Sequence, residues 1–239
     1  MPYIWDNPTQ CRTKMKRFEV CASHAIMGHN TMQDVDLIQA IFSIAVLVFS
    51  VVAHEISHGY MAQYLGDPTA RLAGRLTMNP IKHIDPVGSI LVPVVTSIIP
   101  GGFVFGWAKP VPYNPYNLRD QKWGDAKVAL AGPFMNLAIA FVFAMLMRFG
   151  GEYFTGSMRS ITHLIVLINI ILGVFNLVPI PPLDGSKVLL NSLPLRYRYI
   201  GEYLERYSLV LILIFAFFLW GYFLPIVFFI YQLFMGVPL

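Results

Sequence analysis

Long apolar runs alternate with polar connectors along this chain of 239 residues. Three uninterrupted runs are long enough to cross the hydrocarbon core of a bilayer as α-helices, at about 36–65, 126–148 and 160–178. A fourth run, 208–234, is interrupted near Gly221 and Pro225. It predicts either one tilted span or a helical hairpin.

A shorter apolar run, 86–108, is broken by Pro93, by Pro100 and by the pair Gly101-Gly102. Irregular backbone is tolerated at membrane depth only where it lines a cavity or is buried in protein. The run therefore predicts a re-entrant hairpin. Together the runs predict an all-α membrane protein, a polytopic helical bundle with about 4–6 membrane segments.

Composition supports a multi-pass integral membrane protein in contact with the lipid bilayer. Hydrophobic residues make up 56% of the chain and charged residues only 13%, against about 25% in a typical soluble domain. The formal net charge of +4 does not indicate a nucleic-acid partner, because basic residues of membrane proteins collect in loops and orient the spans. We predict no nucleic acid among its partners.

The basic loop residues favour one orientation in the membrane. If the hairpin returns to its own side, loops 66–125 and 179–207 share one face, and the opposite face holds little beyond Arg148 and Arg159. The first face collects Arg71, Arg75, Lys82, Lys109, Arg119, Lys122, Lys187, Arg196, Arg198 and Arg206. By the positive-inside rule that face is cytoplasmic, although a genuine basic N-terminal tail would argue against it.

The first 35 residues form a polar tail without an apolar signal-peptide core, so no cleaved signal is predicted. The tail is either a genuine extension or an over-extended translation start, with Met27 or Met32 opening the first span more naturally. Both cysteines, Cys11 and Cys21, lie in this tail. They support neither a disulfide framework nor a cysteine zinc site.

Candidate chemistry lies near the end of the first span, where His54-Glu55-Ile56-Ser57-His58 forms an HExxH pattern. Residues four apart on a helix share a face, so two imidazoles can reach one zinc ion. The glutamate can then take a proton from a metal-bound water. The alternative is a histidine pair at the helix end with Glu55 solvated.

A catalytic zinc usually has three protein ligands, so a third ligand is needed. Asp184 in PIPPLDG is the best placed, because it follows the third span and the prolines prevent an ordinary helix there. Its carboxylate could instead cap a helix at 185–193. Topology favours the role of Asp184 as a metal ligand, because the C-terminal ends of the first and third spans face the same side of the membrane.

Three motifs in this order carry a family resemblance: HEISHGY, AGPFMN and NLVPIPPLDG. With GRLTMNPIKHIDPVGS between the first two, residues 36–200 resemble the site-2 protease family of membrane metalloproteases, in its compact form without a PDZ domain. The resemblance implies a three-helix catalytic core, one zinc held by His54, His58 and Asp184, and Glu55 as general base. Together with the apolar runs, it divides the chain into a tail, a catalytic core and a C-terminal membrane segment, at 1–35, 36–207 and 208–239.

Three other residues could serve the chemistry or only the structure. Asn136 on the second span predicts either a hydrogen-bond donor to a substrate carbonyl or oxyanion, or an interhelical hydrogen bond. Gly132 is interpreted as a helix-packing residue. His83 is interpreted as a solvated loop histidine beside Lys82 and Asp85.

The sequence therefore predicts an intramembrane zinc metalloendopeptidase in which Glu55 assists attack by zinc-bound water. The substrate implied by the resemblance is a transmembrane protein or its membrane-embedded remnant, to which run 86–108 could offer an edge strand. The compact architecture favours a prokaryotic inner membrane, with the active site toward the cytoplasm. The alternative functions are a metal transporter or a non-catalytic zinc-binding membrane scaffold, and Glu55 favours hydrolysis over both.

Overall fold

A computed structural model describes residues 37–98, 106–154, 156–194 and 198–236. The chain divides into two units, residues 1–41 and 42–239. Of the first unit, only Leu37–Ile41 is described, as the first residues of a helix. The predicted polar tail, with Cys11 and Cys21, lies outside the described residues.

The described elements are helical, and no β-strand occurs within them. The long and medium helices are α1 (Leu37–Tyr64), α2 (Pro86–Ile98), α3 (Gly124–Phe149), α4 (Gly156–Asn176), α5 (Asp184–Ser192), α6 (Arg198–Arg206), α7 (Ser208–Ile214) and α8 (Trp220–Met235). Short turns of helix lie at Thr69–Leu72, Pro80–His83, Pro115–Asn117 and Gly151–Tyr153. The all-α prediction is confirmed.

Three helices are long and apolar enough to cross a membrane, at Ile41–Tyr64, Gly124–Phe149 and Gly156–Asn176. They match the three uninterrupted apolar runs. Pro86–Ile98 and Trp220–Met235 are apolar but shorter. The three long helices confirm a polytopic membrane bundle, and the fuller number of 4–6 segments remains a prediction.

Helix α3 runs antiparallel to α1 and α4. Its first turns lie beside the end of α1, where the His58 ring bonds to Val128, and its last residues lead through a short turn into α4. Buried Ala140 and Ala144 let α3 pack against Val166 and Ile170 of α4. Small residues let membrane helices approach closely and gain van der Waals contact.

The C-terminal segment traverses the bundle once rather than folding back as a hairpin. Near its start, Ile212 and Phe215 pack against Val178, just beyond the end of α4. At its other end, Met235 joins the core cluster that contains Met147, two residues before the end of α3. A π-helical turn, Phe215–Leu219, joins α7 to α8 without reversing the chain. Of the two alternatives for 208–234, the structure therefore favours one traverse.

The broken run 86–108 begins as helix α2, so residues 86–98 are helical, and an edge strand remains a prediction only for the part of the run beyond Ile98. Asp85 caps this helix by accepting hydrogen bonds from the Val87 and Gly88 amides at 2.8 and 2.9 Å. Near the end of the run, the backbone amide of Trp107 donates to the Gly88 carbonyl at 3.0 Å. Residues 99–105 lie outside the described residues, and the re-entrant hairpin remains a prediction.

Candidate metal centre and active site

The two histidines of the HExxH pattern lie one turn apart on the buried face of α1. Their ring centroids are 4.7 Å apart, and the rings are nearly perpendicular at 85°. Burial of two imidazoles within a membrane helix is unfavourable unless their nitrogens find partners. The structure supplies partners for all four ring nitrogens.

Each histidine uses Nδ1 for a contact with α3. His54 Nδ1 lies 3.1 Å from Asn136 Oδ1, and His58 Nδ1 lies 2.7 Å from the Val128 carbonyl oxygen. A carbonyl oxygen only accepts, so both Nδ1 atoms donate. The proton on Nδ1 leaves the Nε2 lone pair available, which is how metal-ligating histidines are commonly oriented.

Both Nε2 atoms point to one carboxylate oxygen, Asp184 Oδ2. It lies 3.0 Å from His54 Nε2 and 3.2 Å from His58 Nε2. Ligands about 2.0–2.1 Å from a tetrahedral zinc stand about 3.3 Å apart, so the three atoms have the spacing of one coordination shell. These are the three residues that could hold a metal within the described part of the chain.

Asp184 takes this position because α5 begins at it, directly after the proline-rich turn. Helix α5 has no side-chain cap, so the alternative in which Asp184 caps the helix does not occur. The carboxylate oxygen of Asp184 thus stands where the lone pairs of the two Nε2 atoms converge. Two imidazole nitrogens and one carboxylate oxygen form a ligand set that suits a zinc ion.

Gly185 explains how α5 can start so close to the end of α4. A Cβ atom at Gly185 would lie 2.2 Å from the Leu177 carbonyl oxygen and 2.6 Å from that of Val178. Backbone atoms cannot shift away as a flexible side chain can, so only glycine fits. The close approach holds Asp184 against the two histidines.

Glu55 stands between the two histidines in sequence and is half-buried on α1. Its Oε2 accepts a hydrogen bond of 2.9 Å from the Val111 amide. Val111 belongs to an extended segment, residues 109–114, that we call the strap. The contact joins residues 56 positions apart, so no local sequence pattern could have predicted it.

The strap is held along its length by the loop that follows α1. The Arg75 guanidinium donates to the Lys109 carbonyl at 2.8 Å. The backbone amide of Asn114 donates to the Asp67 carboxylate at 2.7 Å. His83 supports the same region, since its carbonyl accepts from the Lys109 amide at 2.9 Å. The prediction of a solvated His83 is wrong, because its side chain is only 1% exposed and its Nε2 donates to the Thr77 carbonyl.

Gly132 makes the closest approach of α3 to the candidate metal centre. A Cβ atom there would lie 2.5 Å from Nε2 of His54 and 2.5 Å from Nε2 of His58. The interpretation of Gly132 as a packing residue was therefore incomplete. Its missing side chain leaves room for the two nitrogens that point to Asp184.

Comparison with known proteins gives the family. Residues 42–157 and 148–219 match the model of peptidase family M50. The chain belongs to this family. It is a zinc metalloendopeptidase, and with its long apolar helices it is an integral membrane protein.

Relatives agree with this assignment. The M50 chain is 33% identical over 180 residues to "Putative zinc metalloprotease YwhC" of Bacillus subtilis, covering 72% of this chain and 78% of YwhC. It is 31% identical over 149 residues to Rip2 of Mycolicibacterium smegmatis, which carries the same description, covering 62% of this chain and 56% of Rip2. It is 25% identical over 154 residues to "Zinc metalloprotease MJ0392" of Methanocaldococcus jannaschii, covering 64% and 35%. No solved structure matches the chain.

Asn136 is a fully buried residue of this M50 chain, with 0% exposure. Its Oδ1 accepts from His54 Nδ1, so the interhelical hydrogen bond that the sequence allowed is present. Its Nδ2 has no hydrogen-bond partner among the described residues. A buried donor without a partner costs about 1–3 kcal/mol, which makes this atom a candidate for contact with a ligand.

Proposed function

We propose that this chain cleaves peptide bonds of membrane-embedded substrates at one zinc ion held by His54, His58 and Asp184. The convergence of two Nε2 atoms on Asp184 Oδ2 carries the proposal, because it supplies three zinc-type ligands at one point. His58 lies six residues before the end of α1, so both histidines belong to the apolar helix itself. The reaction would therefore occur inside the membrane region.

A zinc ion held by His54, His58 and Asp184 would supply polarisation of the peptide carbonyl and acidification of water. Glu55 removes a proton from the attacking water and later delivers it to the leaving amine. Its Oε2 is engaged by the Val111 amide, so we assign proton transfer to Oε1. His54 and His58 keep their orientation through the Nδ1 contacts to α3.

We assign two roles to Asn136, one for each end of its amide. Oδ1 orients His54, and the unpartnered Nδ2 donates to the substrate carbonyl as negative charge develops on it. Asn136→Asp keeps an acceptor for His54 but loses the donor. Asn136→Leu loses both.

Zinc titration and turnover measurements separate these roles. We expect Asn136→Asp to keep its zinc affinity and to lose about 10²-fold in kcat, as other oxyanion donors do. We expect Asn136→Leu to bind zinc about 10- to 100-fold more weakly as well. Full turnover in Asn136→Asp would reject the donor role.

The substrate in this proposal is a transmembrane helix or its remnant. Backbone amides of a helix are protected by their own hydrogen bonds, so the cleaved region must first become extended. We infer that helix-breaking residues near the scissile bond favour cleavage. The exposed apolar side chains of α1 and α3 are consistent with a substrate that arrives within the bilayer.

We propose that the active site opens toward the cytoplasm of a prokaryotic cell. The basic strap and loops lie at the end of the bundle that holds the histidines, as the positive-inside rule requires.

Tyr116 at that end and Tyr153 at the opposite end are both 86% exposed. In a background with Cys11 and Cys21 replaced by serine, a membrane-impermeant maleimide should label Tyr153→Cys in intact cells and Tyr116→Cys only after lysis. The reverse pattern would invert the orientation.

The alternatives of a metal transporter or a silent zinc scaffold are less favoured. A transport path needs ligands at several depths, whereas one group of three candidate ligands is found in the described residues. A scaffold has no need of Glu55 beside the ligands.

Cleavage of a transmembrane reporter by purified protein in detergent tests hydrolysis directly. We expect cleavage by the zinc-loaded protein, loss of cleavage after chelation, and recovery on addition of about one zinc per chain. Asp184→Ala should bind less zinc and should not recover, whereas Asp120→Asn, which changes a partly exposed carboxylate paired with Lys127, should behave like the wild type. Stoichiometric zinc without cleavage of several reporters would favour the scaffold.

A further inference from the structure

A half-buried polar network lies beside the metal centre and joins three parts of the chain. The Tyr113 hydroxyl of the strap donates a hydrogen bond to Asp125 in the first turn of α3. Lys187 of α5 donates to the same hydroxyl oxygen at 3.0 Å, and its ammonium lies 4.9 Å from the centre of the Tyr113 ring. Asn191 of α5 donates to the other Asp125 oxygen at 3.2 Å.

The network holds the strap two residues from the amide that contacts Glu55. Val111 lies between Pro110 and Pro112, and proline has no backbone N–H. Val111 therefore carries the one backbone donor between Lys109 and Tyr113, and that donor binds Glu55 Oε2 at 2.9 Å. A shift of the strap along its length would leave no neighbouring amide to replace it.

The network also holds the helix that begins with Asp184. Lys187 lies three residues after Asp184, which places the two side chains on neighbouring positions of the same face of α5. Burial, together with the Asp125 carboxylate, raises the pKa of Tyr113 far above its usual value, so its hydroxyl stays protonated and can donate. One hydroxyl group thus links the strap at Glu55 to the helix of Asp184.

We propose that Tyr113, Asp125 and Lys187 are positioning residues that hold the strap in register, so that the Val111 amide fixes the Glu55 carboxylate relative to the three metal ligands. This inference rests on the proposed role of Glu55 as the proton acceptor. The three residues act through the strap and do not touch the substrate. Loss of the Tyr113 hydroxyl loosens the strap next to Val111, although Arg75 and Asp67 still hold its ends. Asp184 stays in place through the close approach of Gly185 to Leu177.

The test compares Tyr113→Phe with Tyr116→Phe, because Tyr116 lies just beyond the strap and its side chain is exposed. Zinc content, kcat and KM on a transmembrane reporter, and hydrogen exchange of a peptide spanning 109–113 are measured for both. We expect Tyr113→Phe to bind about one zinc, to lose about 10- to 100-fold in kcat per bound zinc, and to keep its KM. Exchange at the Val111 amide should become faster, whereas Tyr116→Phe should match the wild type in each measurement.

A merely structural role gives a different result. Destabilised protein would contain fewer zinc-loaded molecules but would keep the wild-type kcat per bound zinc, and that result would overturn the proposal. Unchanged exchange at Val111 in Tyr113→Phe would overturn it as well. Lys187→Met provides a second variant if Tyr113→Phe does not fold, with the same expected loss of kcat, and Lys187→Arg should restore turnover because it keeps a donor for the hydroxyl.

Failure of the mechanism itself would be recognised separately. If Glu55→Gln cleaved as fast as the wild type, Glu55 would not be the proton acceptor, and the proposed function would fail. Hydrogen exchange at Val111 does not depend on catalysis. It therefore reports on the strap whichever residue carries the proton.

Discussion

Replacing Glu55 by glutamine should strongly slow peptide-bond cleavage and leave the zinc in place. Glutamine has the same shape, and its side-chain carbonyl can still accept the Val111 amide that Glu55 accepts at 2.9 Å. It cannot take up a proton at the pH of the assay, so water is no longer activated. We expect kcat to fall by about 10²- to 10⁴-fold, the usual contribution of a general base.

Turnover per bound zinc on a transmembrane reporter measures this effect. Glu205→Gln is the matched control, because Glu205 is exposed on α6 and the same substitution there should change neither zinc content nor turnover. Loss of zinc from Glu55→Gln would instead indicate that Glu55 is a ligand. Wild-type turnover would remove Glu55 from the mechanism.

Replacing Gly132 by alanine should disrupt the metal centre although Gly132 is not itself a ligand. The added Cβ would lie 2.5 Å from the Nε2 atoms of both His54 and His58, well inside van der Waals contact. The rings cannot yield without moving the two atoms that face Asp184. We expect zinc binding to weaken by at least about 10²-fold, with a matching loss of cleavage.

Gly221→Ala is the control for the substitution itself. Gly221 lies in helix α8, and a Cβ there would meet nothing within 4 Å. Alanine favours helix over glycine by about 1 kcal/mol, so this variant should be as stable as the wild type or slightly more stable. Zinc titration and reporter cleavage are compared for the two variants. Normal zinc affinity in Gly132→Ala would show that the two histidines can move apart and still bind the metal.

The parts that sequence could predict are those encoded by local pattern. Three apolar runs gave the three long helices to within a few residues, because helix length and hydrophobicity are properties of a continuous segment. The HExxH spacing gave the shared face of His54 and His58 for the same reason. Topology favoured Asp184 as the third metal ligand, since two spans that run in the same direction end on the same side of the membrane.

The parts that sequence missed depend on contacts between distant segments. The sequence next to Val111 does not indicate that its backbone amide binds Glu55. The sequence next to Gly132 does not indicate that two imidazoles lie against it. His83 looked like a solvated loop residue because its neighbours are polar, yet the strap and Thr77 enclose it. Helix α2 was misjudged locally as well, because Pro93 lies inside it. A π-helical turn, Pro86–Leu91, precedes this proline, and local π adjustments let membrane helices accommodate proline.

If the substrate is a transmembrane helix, as proposed above, the position of the histidines along α1 limits how much of that helix has to unfold. His58 and His54 lie six and ten residues before Tyr64, which is about 9–15 Å from the end of the helix at about 1.5 Å per residue. An extended chain covers about 3.3 Å per residue, so a stub of about three to five residues reaches that distance. The rest of a substrate span can stay helical and remain anchored in lipid while its end is cut.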